Sequence, residues 1–340
     1  MTGKERILTV LNHKKADRVP TYEWSFYPGL IQEIAGYESD VRFVQEYDLD
    51  AIAITLDRRI RPIDDGSFVD EFGVIRAYSD EYPSPLDYPI KSAEDLRTFV
   101  MPDPDDEAIY KTMLNAINEV GQEKAVIARI RDVFSFPRDM LGYENFMMDL
   151  ILEPELVEDL MSMSVEYSSR VAQNLKLMGV EVVAVLDDIA NAAAPLISPE
   201  MYREQVFPHF KQLISNFHKT GLKAIKHSDG NLYPILDCLI ESGIDCLDPI
   251  DPMGGMDLAG ILREYGDKIS CKGNIDCVHV LVDGTFEEVE NAVKECIAAG
   301  AVNGGHIISS SNSIHKGISP ANYKFMLECI RKYGKHPVNM

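Results

Sequence analysis

The sequence has few cysteines and no long apolar run. Its six cysteines include no Cys-x-x-Cys pair, and without a secretory signal they are expected to be reduced thiols. No uninterrupted apolar stretch reaches the roughly 18 residues that a membrane helix needs, and the N-terminal residues have no apolar run of signal-peptide length. These absences predict a soluble, cytoplasmic protein that does not bind a membrane.

Positive charge is also scarce. The 33 lysines and arginines are outnumbered by 55 aspartates and glutamates, which leaves a formal net charge of −22. Such a chain repels polyanions, so nucleic acid and anionic membrane surfaces are not expected as partners. A substrate with many carboxylates is also disfavoured.

A glycine-rich first turn, the mark of a dinucleotide-binding sheet, is missing, since the first predicted turn is EWSFYPG. Eight short apolar runs are present instead, and helical patterns alternate with them. The predicted strands are Val19–Trp24, Ala51–Ile54, Ala125–Ile130, Val182–Leu186, Leu222–Ile225, Ile244–Leu247, Lys268–Lys272 and Gly305–Ile308. This alternation predicts an α/β fold, a (β/α)8 TIM barrel, with residues 1–340 forming a single domain.

Residues 57–105 interrupt the alternation. The segment RRIRPIDDGSFVDEFGVIRAYS alternates apolar and polar residues, and a stretch rich in proline and aspartate follows it. This pattern predicts a β-hairpin and loop inserted after the second strand, covering one end of the barrel.

Polar clusters stand where the predicted strands end. Parallel strands point their carboxyl ends to the same rim, which is where TIM barrels carry their catalytic residues. The candidates on this rim are Glu23, Asp57, Arg129, Asp187, Asp188, His227, Asp229, Asp248, Asn274 and Asn312.

Several of these segments resemble one known family. The runs LDDIANAAAPLISPEMYREQVFPHFKQLI, GLKAIKHSDGN, SGIDCLDPID, CKGNID and GGHIISSSNSIHKGISP, in this order, are similar to the uroporphyrinogen decarboxylase-like superfamily. The resemblance covers nearly the whole chain and implies a (β/α)8 fold. It also implies one of two chemistries, decarboxylation of uroporphyrinogen or methyl transfer to or from a corrinoid cofactor.

The departures from the family patterns favour the methyltransferase branch. Decarboxylases carry an arginine-rich motif after the first strand, where this chain has the acidic and aromatic residues from Glu23 to Gly29. The thiol-activating methyltransferases have a zinc-binding His-x-Cys pair and a later cysteine. Here the pair reads His227-Ser228-Asp229, and Asn312 stands at the later position. His227 with carboxylates could still form a nitrogen and oxygen site for zinc.

The resemblance and the rim residues together predict a methyltransferase that acts between a small methylated substrate, such as an aryl ether or a methylamine, and a corrinoid carried by a partner protein. His227 is predicted to protonate the leaving group or to hold a metal, with Asp187, Asp188 and Asp229 setting its orientation and charge. Tyr22, Trp24 and Phe26 are predicted to form one apolar wall of the pocket. The expected substrate-binding set is Tyr22, Glu23, Trp24, Phe26, Asp57, Arg129, Asn274 and Asn312.

Other interpretations stay open at this point. A decarboxylase of a smaller carboxylic acid would use Arg129 to hold the carboxylate, and a non-catalytic protein would only bind the corrinoid protein. His227 would then be a rim histidine bonded to a neighbouring carboxylate, and Asp229 a turn or helix cap. A homodimer is compatible with the sequence, which does not determine the oligomeric state.

Overall fold

The computed structural model describes residues 1–79, 83–186, 188–301 and 304–335. Seven parallel strands form its main sheet, in the order β1-β6-β7-β8-β9-β10-β11. They are β1 (Ala51–Thr55), β6 (Ala125–Arg131), β7 (Val182–Leu186), β8 (Lys223–His227), β9 (Cys246–Ile250), β10 (Ser270–Ile275) and β11 (His306–Ser310). Apart from the insertion between β1 and β6, each strand is followed in the sequence by its neighbour in the sheet, the order expected for a (β/α)8 barrel. The fold is therefore TIM-barrel-like, as predicted.

Helices connect these strands, and two of them begin at clear local signals in the sequence. In α1, the hydroxyl of Thr2 accepts from the backbone N–H of Glu5, and the Glu5 carboxylate accepts from that of Thr2. Proline at the first turn starts the longest helix, α8. The helices are α1 (Gly3–Leu11), α2 (Pro28–Ala35), α3 (Asp40–Glu46), α4 (Ala93–Thr98), α5 (Lys111–Val120), α6 (Ser135–Leu141), α7 (Tyr143–Leu152), α8 (Pro154–Leu177), α9 (Pro199–Met201), α10 (Phe207–Thr220), α11 (Leu236–Ser242), α12 (Leu258–Tyr265), α13 (Val280–Asp283), α14 (Phe286–Ala301) and α15 (Pro320–Tyr333).

The predicted first strand, residues 19–24, is not a regular strand. Thr21 makes only an isolated parallel bridge to Ile308. Pro20 has no N–H to donate, and the N–H of Thr21 is taken by the Asp50 carboxylate at 2.8 Å. The segment still joins the two edges of the sheet, because Ile308 N donates to Pro20 O at 3.0 Å and Asp50 N to Thr21 O at 2.7 Å.

Two apolar layers lie on opposite faces of the curled sheet. The inner layer contains several small side chains, Ala51, Ala53, Ala125 and Ala184, in one cluster with Trp24 and larger aliphatic residues. Larger aliphatic and aromatic side chains fill the space between the sheet and the surrounding helices. Alternate residues of each strand face these two layers, so every second residue at a strand end points into the barrel mouth.

The insertion after β1 is larger than the predicted hairpin. It forms a separate four-stranded antiparallel sheet of β2 (Arg61–Asp64), β3 (Ser67–Val69), β4 (Ile75–Ala77) and β5 (Ser84–Asp87). The hairpin accounts for only part of it. The fourth strand, β5, reads Ser-Pro-Leu-Asp. Proline is tolerated in an edge strand, but it is uncommon in strands, so the sequence did not predict this one.

Among the described residues, no helix combines the length and the apolarity that crossing a membrane requires.

Candidate active site

His227 ends strand β8 and points into the mouth of the barrel, where its imidazole lies flat on the indole of Trp24. The ring centroids are 3.8 Å apart and the ring planes differ by 9°. Both residues are buried, with 5% of His227 and 6% of Trp24 exposed. Trp24 is the last residue of the irregular segment that joins the sheet edges, so closure of the barrel brings these two rings together.

Asp248, on the neighbouring strand β9, holds the other side of the imidazole. Its Oδ2 lies 3.5 Å from Nδ1 of His227, and its Oδ1 accepts a 2.8 Å hydrogen bond from the ammonium of Lys272 on β10. The Asp248 and Lys272 side chains are almost completely buried. Lys272 thus keeps Asp248 charged beside the histidine.

The surrounding carboxylates favour the charged imidazole. Burial lowers the pKa of His227, but the hydrogen bond and charge of Asp248 oppose it. The charges of Asp229 and Asp188 add to this effect, so the pKa of His227 lies above its ordinary value. Burial raises the pKa of Asp248, yet Lys272 and His227 outweigh it and hold that pKa below the usual range.

Asp188 and Asp229 face the exposed side of His227. Asp188 Oδ1 lies 4.0 Å from His227 Nε2 and accepts a 2.8 Å hydrogen bond from the backbone N–H of Asp229. One ligand atom each from Asp188, His227 and Asp229 lie within 4.8 Å of one another. The amide of Asn312, beyond strand β11, donates to Asp229 Oδ2. The structure therefore brings together four of the residues that the sequence predicted.

The surroundings of Asp229 disfavour the charged form of its carboxyl group. Burial raises its pKa to about 7, and the carboxylates of Asp188, Asp251 and Asp248 add to the effect while His227 opposes it. Among the described residues, Asp229 Oδ1 has no hydrogen-bond partner although it is buried. A buried acceptor without a partner is costly in a protein that folds without a ligand at that atom.

This donor set fits a zinc ion. An imidazole nitrogen and two carboxylates are ordinary zinc ligands, and the unpaired Asp229 Oδ1 is an oxygen that a cation would satisfy. No cysteine belongs to the cluster, so a zinc ion here would have a nitrogen and oxygen environment among the described residues. Zinc would be held by His227, Asp229 and Asp188.

Arg129 supports the Trp24 ring from strand β6. Its guanidinium donates a 2.9 Å hydrogen bond to the carbonyl of Trp24, and its Cζ lies 5.3 Å from the centroid of the indole. This places Arg129 beside the candidate site as a contact of Trp24.

Phe26 does not share a wall with Trp24, contrary to the prediction from the sequence. Tyr22 is fully buried in the barrel, where the Lys272 ammonium lies 4.9 Å from its ring centroid. Phe26 packs outward against Phe43, with ring centroids 5.3 Å apart. Tyr22 and Trp24 are alternate residues of an extended segment and lie in the same apolar layer. Phe26 packs against the other layer because the chain bends at Trp24.

Three further residues that were predicted to contact the substrate form hydrogen bonds with other protein groups. Glu23 is 2% exposed and accepts hydrogen bonds from the hydroxyl of Ser310 at 2.6 Å and from its backbone N–H. The Asp57 carboxylate accepts from the N–H and hydroxyl of Thr112, near the start of α5. The Asn274 amide donates to the carbonyl of Ile250 at 3.0 Å. These groups satisfy backbone and side-chain partners that the sequence does not reveal. Asp187 lies outside the described residues.

Sequence reasoning placed Asp248 on the rim but did not pair it with His227, and it missed Lys272. A signal for both was present. Lys272 is a charged residue within an apolar strand, and a buried lysine requires a carboxylate partner nearby.

A parallel barrel-like sheet with a buried histidine and carboxylates at its carboxyl rim is the arrangement of TIM-barrel enzymes. Residues 37–333 match the family model described as uroporphyrinogen decarboxylase, and the chain belongs to this family.

Its relatives include both chemistries named for the family. The methylcobamide:CoM methyltransferase MtbA of Methanosarcina mazei is 23% identical, and the match covers 98% of each chain. A uroporphyrinogen decarboxylase of Alkalilimnicola ehrlichii is 21% identical over 96% of this chain and 93% of its own. The solved structure of a methyltransferase from Methanosarcina mazei has a TM-score of 0.74, with 16% identity and coverage of 98% and 99%. That structural likeness establishes the fold.

Proposed function

We propose that this protein transfers a methyl group between a small methylated substrate and the cobalt of a corrinoid held by a partner protein. The observation that supports it most is the cluster of His227, Asp188 and Asp229 at the mouth of the barrel. The similarity to a methylcobamide methyltransferase along the full chain agrees with this choice.

The reaction requires that the methyl carbon be positioned and that one proton be delivered to the leaving group. With an aryl ether as substrate, the carbon–oxygen bond breaks and a carbon–cobalt bond forms with the electron pair of cobalt(I). The oxygen keeps the pair of the broken bond and takes a proton. A methylamine would release its nitrogen in the same way. Such leaving groups are poor until they are protonated or bound to a Lewis acid.

His227 is suited to supply that proton. Its raised pKa keeps the imidazole charged nearer to neutral pH, and Nε2 faces the mouth of the barrel while Asp248 holds Nδ1. A zinc ion on His227, Asp229 and Asp188 would instead supply Lewis acidity to the leaving atom. The two cases require different protonation states of the imidazole, because a metal ligand must be neutral.

Access to the site is from the Asp188 side. The Asp188 side chain is 40% exposed, whereas that of His227 is 7% exposed. Trp24 covers the opposite face of the imidazole. The methyl carbon and the approaching corrinoid would therefore meet near Asp188.

Uroporphyrinogen is the less suitable substrate. Its carboxylates need paired cations, but the segment after the first predicted strand supplies Glu23, which is buried against Ser310. Arg129 donates to the carbonyl of Trp24. Methyl transfer is therefore preferred to decarboxylation.

The test is a methyl-transfer assay with a purified corrinoid protein, in which the cobalt(I) absorption is followed as candidate methyl donors are added. His227→Asn should lower turnover by roughly two to four orders of magnitude. The matched control is His209→Asn on helix α10, which should keep full activity. Equal turnover of the His227→Asn variant and the native protein would refute the assignment, and so would carbon dioxide release from a carboxylic acid without any cobalt change.

A further inference from the structure

Helix α7 presents an apolar face to solvent on this strongly acidic protein. The α7 face consists of Tyr143, Met148, Ile151 and Leu152. Between 49% and 69% of each of these residues is exposed. Met148, Ile151 and Leu152 are three and four residues apart, so they share one side of the helix. Tyr143 lies about two turns before Ile151 on that side.

The opposite side of α7 is apolar as well. Phe146 and Leu150 are buried and belong to the main core. A helix that is apolar all round is typical of an element that is covered on every side. The α7 face is therefore expected to be covered by another molecule.

A groove continues the α7 face beyond the C-terminal end of the helix. It has a volume of about 540 Å³, lies between α4 and α8, and is lined in part by Glu153, the residue that follows α7. Leu96, Leu156 and Met163 form its apolar part. The face and the groove together offer one contiguous surface to the side chains of a partner.

Carboxylates without basic partners frame this surface. They are Glu144, Asp149, Glu153, Glu155, Glu158 and Asp159. In the part of the chain that the structure describes, none of them forms a salt bridge with a lysine or an arginine. Burial raises the pKa of Asp149, and the charge of Glu153 raises it further. An apolar centre with a polar frame is the usual anatomy of a protein–protein interface, and this frame favours a basic partner.

Helix α7 lies on the rim that carries the candidate active site. It follows α6 after Gly142, and Arg138 of α6 donates a 3.4 Å hydrogen bond to the carbonyl of Asp188. A protein–protein contact of ordinary size covers about 800 Å² on each partner, a patch roughly 30 Å across. A partner that covers the mouth of the barrel near Asp188 therefore reaches α7.

We propose that the α7 face docks the corrinoid-carrying partner protein, through an apolar patch on that protein that lysines or arginines surround. This inference rests on the proposed function, which requires such a partner to bring cobalt to the mouth of the barrel. Because the partner carries the methyl group to or from another reaction, it has to dissociate. Flexible methionines such as Met148 suit an interface that forms and dissociates repeatedly.

A second copy of this chain fits the α7 face less well. Two copies would bring both sets of unpaired carboxylates together, and each chain has a net charge of −22. Like charges that face one another across an interface oppose association. A basic partner is therefore favoured over a homodimer through α7.

The experiment measures, by isothermal titration calorimetry, how the full-length protein binds the purified corrinoid protein of the methyl-transfer assay. Ile151→Asp places a charge in the α7 face and should weaken binding roughly 10- to 100-fold. The matched control is Leu177→Asp. Leu177 is an exposed leucine at the C-terminal end of α8, at the opposite end of the barrel, and this variant should bind as the native protein does.

The carboxylate frame is tested by salt and by charge reversal. The affinity for the corrinoid protein should fall as the salt concentration rises, because salt screens the attraction between the frame and a basic partner. Glu153→Lys should weaken binding for the same reason. An affinity that neither salt nor Glu153→Lys changes would refute the basic frame on the partner.

A kinetic measurement separates docking from chemistry. With the corrinoid protein as the methyl acceptor, Ile151→Asp should raise the KM for that protein and leave kcat unchanged. With free cob(I)alamin in its place, the variant and the native protein should react at equal rates, because no partner protein has to dock.

Equal affinities of the Ile151→Asp variant and the native protein for the corrinoid protein would overturn the proposal, as would absence of binding by the native protein. A native dimer in sedimentation equilibrium that Ile151→Asp converts to a monomer would also overturn it, because a second copy would then cover α7. Failure of the proposed function would appear differently, as no methyl transfer to either form of the corrinoid while the corrinoid protein still binds.

Discussion

The ammonium of Lys272 donates to Asp248 at 2.8 Å at the centre of the barrel, where both side chains are 1% exposed. The other oxygen of Asp248 faces His227. A buried lysine and aspartate thus hold the histidine of the candidate site, and removal of either leaves an uncompensated charge in the protein interior.

The first prediction concerns this pair. Asp248→Asn and Lys272→Met should each lower the free energy of unfolding by about 3–5 kcal/mol. The double variant should lose less than the sum, because it leaves neither charge unpaired. Urea unfolding of the four proteins measures this. The surface pair Lys211 and Glu241, 3.0 Å apart and half exposed, is the control, with an expected effect of about 1 kcal/mol or less. If the single variants lose no more free energy of unfolding than variants of the surface pair do, the prediction is wrong.

The second prediction concerns metal binding. The native protein should retain zinc after dialysis, and Asp188→Asn or Asp229→Asn should weaken zinc binding, since each removes an anionic ligand. His227→Asn should have the largest effect. Elemental analysis and a competition titration with a chromogenic chelator measure these changes.

A matched control exists on the surface, where His279 lies 2.9 Å from Asp276 and is largely exposed. His279→Asn should leave the zinc content unchanged. If the purified protein contains no zinc, and neither added zinc nor chelator treatment changes its activity, His227 acts through its proton and the metal prediction fails.

The third prediction converts the site to thiolate ligands. Asn312 and Asp229 are in contact through their side chains, so cysteines at both positions would stand beside His227. Because thiolates bind zinc more strongly than carboxylates do, Asp229→Cys/Asn312→Cys should bind zinc at least about 10-fold more tightly than the native protein. Asp229→Ser/Asn312→Ser is the control and should bind more weakly. Equal affinities of the cysteine and serine variants would show that these positions do not reach the metal.

The fourth prediction is a pH dependence of stability from Glu23. Burial raises the pKa of this carboxyl to about 7, and Lys272 and Ser310 only partly oppose the effect. Its folded-state pKa therefore exceeds the unfolded value near 4.5. The stability that the protonated group contributes is complete below pH 4.5 and is lost as pH rises to about 7.

Glu23→Gln should remove this loss. Relative to the native protein, the variant should gain stability between pH 4.5 and 7, with a constant difference above that range. The gain is at most about 3 kcal/mol. Urea unfolding at pH 5 and pH 8 measures it, and Glu33→Gln on the exposed side of α2 is the control. A difference between Glu23→Gln and native protein that does not change with pH would refute the assignment.

Much of the fold follows from the sequence. The strand at Val182–Leu186 has the predicted bounds, and helix α8 starts at Pro154, a position in the first turn that proline favours. Local signals suffice for these elements because apolar runs, caps and prolines act over a few residues. The segment at residues 19–24 differs because its pairing depends on Asp50, whose carboxylate takes the N–H of Thr21.

At the site, the strand pattern predicted that His227, Asp188 and Asp229 follow the ends of parallel strands. His227, Asp188 and Asp229 are brought together because parallel strands place all their carboxyl ends on one side. Which of these rim residues touch one another follows from the closed barrel. The stack of Trp24 on His227 and the support from Asp248 and Lys272 depend on barrel closure and on which face each side chain takes. Those contacts join residues far apart in sequence, and no local pattern encodes them.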